Sequence, residues 1–126
     1  MKRLWLGVAL LAALLAASIA AQAVTGRIHE PIAKDLEQAA DAALAEDWTQ
    51  ADLLYHRARD AWQRRHGATA SVADHSPMDE LDMLFAELQV FAREREAVHF
   101  AATCRSAAQM AQAMAQAHSL TWWNFL

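Results

Sequence analysis

The stretch SPMDELDMLFAELQVF, residues 76–91, carries a complete set of signals for an amphipathic α-helix. Ser76 is a favourable N-cap, Pro77 suits the first helical position, and Asp79 stands where the helix dipole favours a negative charge. Its apolar side chains recur at steps of three and four residues and share one helix face. They are Leu81, Leu84, Phe85, Leu88 and Phe91. The stretch therefore predicts a helix that buries this face against other helices.

The same periodicity continues on both sides of this stretch. A polar loop, residues 68–75, precedes it. Arg93-Glu94-Arg95-Glu96 indicates a short turn after it, and the alternative is a helix that continues through these four residues. Upstream, the spacing predicts a helix from Pro31 to about Glu46 and a second one capped by Thr49 and ending near Gly67. Downstream, a final helix presents small residues at alternating steps of three and four. These are Ala101, Cys104, Ala108, Ala111 and Ala115, followed by His118. Four helices of similar length predict an all-α, antiparallel bundle made of two helical hairpins.

A second, separate feature is the apolar segment, residues 4–24, which contains no charged residue. About 20 apolar residues in a helix span the hydrocarbon core of a bilayer. Lys2 and Arg3 precede the segment, which favours a cytoplasmic amino terminus and an exported remainder. The sequence thus predicts a membrane anchor over residues 1–25, a break at Thr25-Gly26, and an extracytoplasmic domain over residues 26–126. The alternative is a signal peptide cleaved near Ala23, since Ala21-Gln22-Ala23 has the form that signal peptidase accepts.

Composition narrows the function classes. Hydrophobic residues make up 56% of the 126, and 31 of them are alanine, whereas Val and Ile together number eight. Such a chain favours helix over sheet. The net charge of −4 argues against nucleic-acid binding, and the single cysteine excludes an internal disulfide. The rows of alanine in the apolar segment, such as Ala9, Ala13 and Ala17, are compatible with a homo-oligomer packed through that segment.

Motifs that carry chemistry are scarce. Glu96 and His99 form one Glu-x-x-His step, but a carboxylate-bridged metal site in a bundle needs two such steps and two further glutamates. Cys104 falls on the alanine face, which favours burial over reactivity. With only three glycines, the chain contains no phosphate-binding loop or nucleophile elbow. We therefore expect no enzymatic activity, no cofactor and no metal.

Basic and aromatic residues converge on one end of the predicted bundle. In an up-down-up-down arrangement, Arg64, Arg65, Trp122 and Trp123 lie at the end nearest the membrane. Tryptophan favours the bilayer interface, and arginine favours phospholipid head groups. These four residues are candidates for contact with the membrane or with a partner. The alternative is that the tryptophan pair packs over the end of the bundle.

The chain also resembles a known family. The residues that carry the resemblance are the segment from Asp74 to Asp82, the Leu88–Phe91 step, and the endings Ser119-Leu120 and Asn124-Phe125-Leu126. Together with a short charged amino terminus and one apolar segment, they look like the bacterial family classed as domain of unknown function 4363. This resemblance implies a small single-pass membrane protein, found largely in spore-forming bacteria, without an assigned reaction. It singles out His75 and Asn124 as matching polar positions.

Two functional hypotheses follow. The first is a membrane-anchored, non-enzymatic domain that acts through contact with an unknown membrane or envelope protein. The second is a secreted bundle, released by cleavage near Ala23, that binds a small ligand or metal near His99 and Cys104.

Overall fold

The computed structural model describes residues 1–69 and 76–120. This part of the chain forms four helices and contains no strand. They are α1 (Lys2–Leu44), α2 (Trp48–Thr69), α3 (Ser76–Glu94) and α4 (Ala97–Leu120). The prediction of an all-α fold built from two hairpins, α1–α2 and α3–α4, is confirmed.

The predicted break between the apolar segment and the first bundle helix is wrong. Helix α1 runs for 43 residues, a length of about 65 Å, and passes through both Gly26 and Pro31. Proline inside a helix removes one backbone hydrogen bond, and glycine lowers helix propensity. The alanine-rich sequence on both sides favours helix, and Ile32 and Leu36 are buried in the bundle immediately after Pro31. Propensity and packing together outweigh the two local breaking signals.

Two short turns of the same type connect the helices of each hairpin. Glu46 and Arg95 adopt left-handed φ angles of 60° and 55°. In the first turn the amides of Glu46 and Asp47 donate to the carbonyls of Ala43 and Ala42. This is the Schellman pattern that satisfies the last carbonyls of a helix, and the turn at Arg95 repeats it.

The start of α2 differs from the prediction by two residues. The side chain of Asp47, rather than Thr49, caps the helix by accepting a hydrogen bond of 3.1 Å from the Gln50 amide. The negative charge of a carboxylate at this position interacts more favourably with the helix dipole than a neutral hydroxyl does.

The four helices run up and down in turn. Asp35 of α1 pairs with Arg57 of α2, whereas the turn joins residues 44 and 48, so the two helices are antiparallel. Helix α3 is antiparallel to α2 and to α4 in the same way. Among neighbouring helices, contact is most extensive between α1 and α4 and least extensive between α2 and α3. The bundle therefore consists of two hairpins joined along α1 and α4, with an open seam between α2 and α3.

The core confirms the predicted apolar faces. Buried side chains include Leu36, Trp62, Leu81, Leu88 and Phe100, surrounded by alanines of α1 and α4. Because alanine is small, helices that present it approach closely, which accounts for the extensive α1–α4 contact.

The amino-terminal part of α1 lies outside this core. Residues 4–17 are all exposed, including Leu11 at 64% and Leu15 at 56%. Among the residues of α1–α4 whose side chains the structure describes, which leave out 21–28 of α1, no helical stretch reaches the length and apolarity needed to cross a membrane.

Candidate functional site

The seam between α2 and α3 opens into a groove of about 340 Å³. We call it the α2–α3 groove. It is lined by Arg59, Trp62, Gln63, Asp82, Phe85, Ala86 and Gln89. Each helix contributes residues at steps of three or four, so the lining follows from helical spacing alone.

Two hydrogen bonds cross the seam beneath the groove. The indole Nε1 of Trp62 donates to Asp82 Oδ1 at 2.6 Å, and the hydroxyl of Tyr55 donates to the carbonyl oxygen of Phe85 at 3.2 Å. Trp62 and Tyr55 are each 1% exposed. An aromatic floor with satisfied polar ends keeps α2 and α3 in place although few of their backbone atoms approach each other.

Tyr55 is the only tyrosine of the chain, and its environment perturbs its ionisation. Burial raises the pKa of its hydroxyl above 10.0, and the nearby Arg59 guanidinium only partly offsets this effect. The neutral phenol is therefore favoured in the folded protein.

This perturbation gives a spectroscopic prediction. We expect the tyrosinate absorbance of the folded chain to appear at higher pH than in denaturant, where Tyr55 titrates near 10.0. A raised folded-state pKa contributes stability that is fully present below the unfolded pKa and is lost as pH rises through the folded pKa. Alkaline titration with and without urea measures this. Coincident curves would place the phenol in water.

The walls of the groove combine cationic, anionic, amide and aromatic groups, the anionic group being the Asp82 carboxylate. Arg59 is half-buried, whereas Gln63 and Gln89 are exposed. Arginine and tryptophan are enriched in the contact surfaces of proteins, where amides supply adaptable hydrogen bonds. The groove thus presents both charges and several amide groups beside its aromatic floor.

The predicted contact residues are only partly brought together. Arg64 and Arg65 lie in the last turns of α2, Arg64 exposed and Arg65 half-buried. Burial lowers the pKa of Arg65 from its ordinary value. Trp122, Trp123, Asn124 and His75 lie outside the described residues, so their predicted roles stay predictions.

The two residues of the hypothetical ligand site, His99 and Cys104, occupy different environments on α4, the first exposed and the second buried. His99 Nδ1 lies 2.9 Å from Glu96 Oε2, and its ring stacks on Phe91 at 5.4 Å. Cys104 is buried against the alanine faces, five residues along the helix. In the part of the chain that the structure describes, no group of three or more His, Cys, Asp or Glu side chains is arranged to hold a metal ion.

Cys104 should be chemically inert. Burial raises the pKa of its thiol to about 12, so the thiolate fraction at about pH 8 is on the order of 10⁻⁴. We expect a thiol reagent to modify the native chain at least about a hundredfold more slowly than the urea-unfolded chain. Equal rates in the two states would contradict the burial of Cys104.

Sequence reasoning missed two buried polar residues. His29 is 1% exposed, and it begins the row that continues through Ile32, Ala33 and Leu36. Extending the row by three residues towards the amino terminus, from Ile32 to His29, identifies this buried position. Asp35 is 9% exposed, and Arg57 donates two hydrogen bonds to its carboxylate. They join Nε to Oδ2 at 2.7 Å and Nη2 to Oδ1 at 2.5 Å. The i, i+3 and i+4 pattern of α1 contained no signal for that pairing, because the partner lies on another helix.

Comparison with known proteins identifies the family of the chain. The family described as "Domain of unknown function (DUF4363)" matches residues 20–125. The chain belongs to this family. The match covers the whole bundle and begins near the end of the apolar segment. No curated protein and no solved structure matches the chain.

Proposed function

We propose that this member of the family is a single-pass membrane protein whose helical bundle lies outside the cytoplasm. In this proposal the bundle is non-enzymatic and acts through contact with another membrane or envelope protein. Residues 4–24 form the anchor.

One observation supports the assignment of residues 4–24 as a membrane anchor. The side chains of residues 4–17 are exposed around the full circumference of α1, and the bundle covers none of them. A helix that is apolar on all sides is stable in a protein core or in lipid, not in water. Residues 21–24, which complete the 21-residue span, are Ala, Gln, Ala and Val. At 1.5 Å per residue the span measures about 31 Å, close to the thickness of a hydrocarbon core.

Charge supports the orientation. Lys2 and Arg3 directly precede the span. Basic residues are retained on the cytoplasmic side. The bundle then lies on the opposite face of the membrane.

The α2–α3 groove supports action by contact. It is the opening where two antiparallel helices of the bundle fail to close, and it exposes arginine and amide groups above an aromatic floor.

Protease protection tests the anchor and its orientation. With a tag at the carboxyl terminus, protease added outside spheroplasts should remove the tag and leave a membrane-embedded amino-terminal fragment. Two results would overturn the proposal. One is a tag that resists protease until the cells are lysed, and the other is a soluble product that begins near residue 24.

Photo-crosslinking tests the contact surface. A crosslinker placed at Gln89 in the groove should yield a discrete protein adduct in intact membranes, and Arg59→Glu should reduce its yield. Gln109, exposed on α4, is the matched control position. Equal adducts from both positions, or none from Gln89, would contradict a role for the groove.

A further inference from the structure

We propose that the carboxyl-terminal corner of α2, centred on Arg64, contacts the phosphate groups of an anionic phospholipid surface. This inference rests on the proposed membrane anchor and adds the position of the bundle relative to the bilayer. It follows from the register of the helices, the continuity of α1 and the distribution of charge.

The register fixes the height of Arg64 along α1. Arg57 of α2 donates to Asp35 of α1, so these two residues are at the same height. Because the helices are antiparallel, Arg64, seven residues after Arg57, is level with Ile28, seven residues before Asp35. Counting instead from the turn, where Glu46 bonds Trp48, places Arg64 level with Glu30. Both counts put its Cα about 6–9 Å beyond Val24, the end of the proposed span. The polar layer on each side of a bilayer is about 5–8 Å thick. The Arg64 Cα therefore lies at the level of the outer head-group layer.

The other helices end at the same height. Arg105 of α4 donates to Asp41 of α1, so these two residues are at the same height. Because α4 is antiparallel to α1, Leu120, fifteen residues after Arg105, is level with residue 26 of α1. Helix α3 begins at Ser76, six residues before Asp82, whose partner on α2 is Trp62. The base of the bundle is therefore nearly level with the end of the apolar segment.

Helix α1 connects the proposed span directly to the bundle. It runs from Lys2 to Leu44 without interruption, so no loop separates the span from the bundle. The height of the bundle above the span is therefore set by the rise of the helix.

The distribution of charge determines which side of the membrane-facing end of the bundle approaches the lipid. On α2, Arg64 is exposed and Arg65 adjoins it, whereas α1 and α3 expose acidic residues at the same height, namely Glu30, Asp79 and Glu80. An anionic surface attracts the first corner and repels the second. The bundle should tilt so that α2 approaches the head groups.

Depth measurements on the full chain test this inference. The chain is reconstituted in vesicles of phosphatidylcholine with about 30% phosphatidylglycerol, with a spin label at Gln63 or at Leu53. Both positions are exposed on α2, and Leu53 lies about 15 Å further from the membrane. Unmodified chain, with only the buried Cys104, provides the labelling background. We expect the label at Gln63 to collide with a head-group-bound relaxation agent and the label at Leu53 to report bulk water.

Charge reversal separates lipid contact from simple proximity. Arg64→Glu should lower the collision rate at Gln63 about fivefold, and Arg64→Lys should preserve it. The matched control is Arg93→Glu, which makes the same change near the opposite end of the bundle and should have no effect. In vesicles of phosphatidylcholine alone, Arg64→Glu should change the rate much less.

The failure of this inference is distinguishable from the failure of the anchor. A chain that does not co-sediment with vesicles contradicts the anchor. A chain that co-sediments but gives equal depths at Gln63 and Leu53, or a Gln63 depth that is insensitive to Arg64→Glu, overturns the lipid contact.

Discussion

Trp62→Ala is expected to lower the free energy of unfolding by about 3–5 kcal/mol. The indole is 1% exposed, spans the seam between α2 and α3, and donates the 2.6 Å hydrogen bond to Asp82. Alanines that flank the core are too small to collapse into the space that the ring leaves. Since domains of this size have only about 5–15 kcal/mol of total stability, the loss is a large fraction of it.

Urea unfolding of the full chain in mild detergent, followed by helical circular dichroism, measures this effect. Trp62→Phe keeps most of the packing but removes the donor to Asp82, and we expect it to cost about 1–3 kcal/mol. Trp5→Ala is the matched control, because Trp5 is 70% exposed and its loss should change stability by less than about 0.5 kcal/mol. A loss below about 1 kcal/mol for Trp62→Ala would show that the ring contributes little to the core.

Periodicity predicted the bundle well because burial of helical faces is a local property of the sequence. The rows Leu81–Leu88 and Ala101–Ala111 lie on the buried faces of α3 and α4, and Trp62 lies in the core. The turn near Arg95 was also predicted, from its charges. Its left-handed φ of 55° was not predicted, since glycine rather than arginine is the usual signal for that conformation.

The open seam between α2 and α3 could not be predicted from the sequence. Whether α2 and α3 close on each other depends on how closely α1 and α4 approach, which is a sum over many alanine contacts. The pairs Trp62–Asp82 and Tyr55–Phe85 join residues 20 and 30 positions apart. No spacing rule within one helix identifies such pairs, so the groove and its floor emerged only in three dimensions.

The continuous α1 illustrates a competition between local signals and context. Gly26 and Pro31 are each unfavourable in a helix interior, by about 1 and 3 kcal/mol. Those costs are outweighed where a buried row begins at His29 and continues through Leu36 and Ala40. Breaking signals mark a boundary reliably only where no packing opposes them.

The double variant Leu11→Arg with Leu15→Arg is expected to transfer the protein from the membrane fraction to the soluble fraction. Each arginine near the centre of the proposed span costs about 2.5–3.5 kcal/mol in membrane insertion, and both lie on the same helix face, where they also repel each other. A combined penalty of about 5–7 kcal/mol corresponds to a change of about 10⁴-fold in the partition equilibrium. Fractionation of cells, followed by detection of a carboxyl-terminal tag, measures this change.

The same variant should leave the bundle intact, since the side chains of Leu11 and Leu15 are 64% and 56% exposed and lie outside the core. Helical circular dichroism of the released protein should show an unfolding midpoint close to that of the wild type in detergent. Leu53→Arg is the control, because Leu53 is 58% exposed on α2 and its substitution should release no protein from the membrane. A double variant that stays in the membrane fraction would show that residues 4–24 are not the anchor. A double variant that is released but unfolded would show instead that this half of α1 supports the bundle.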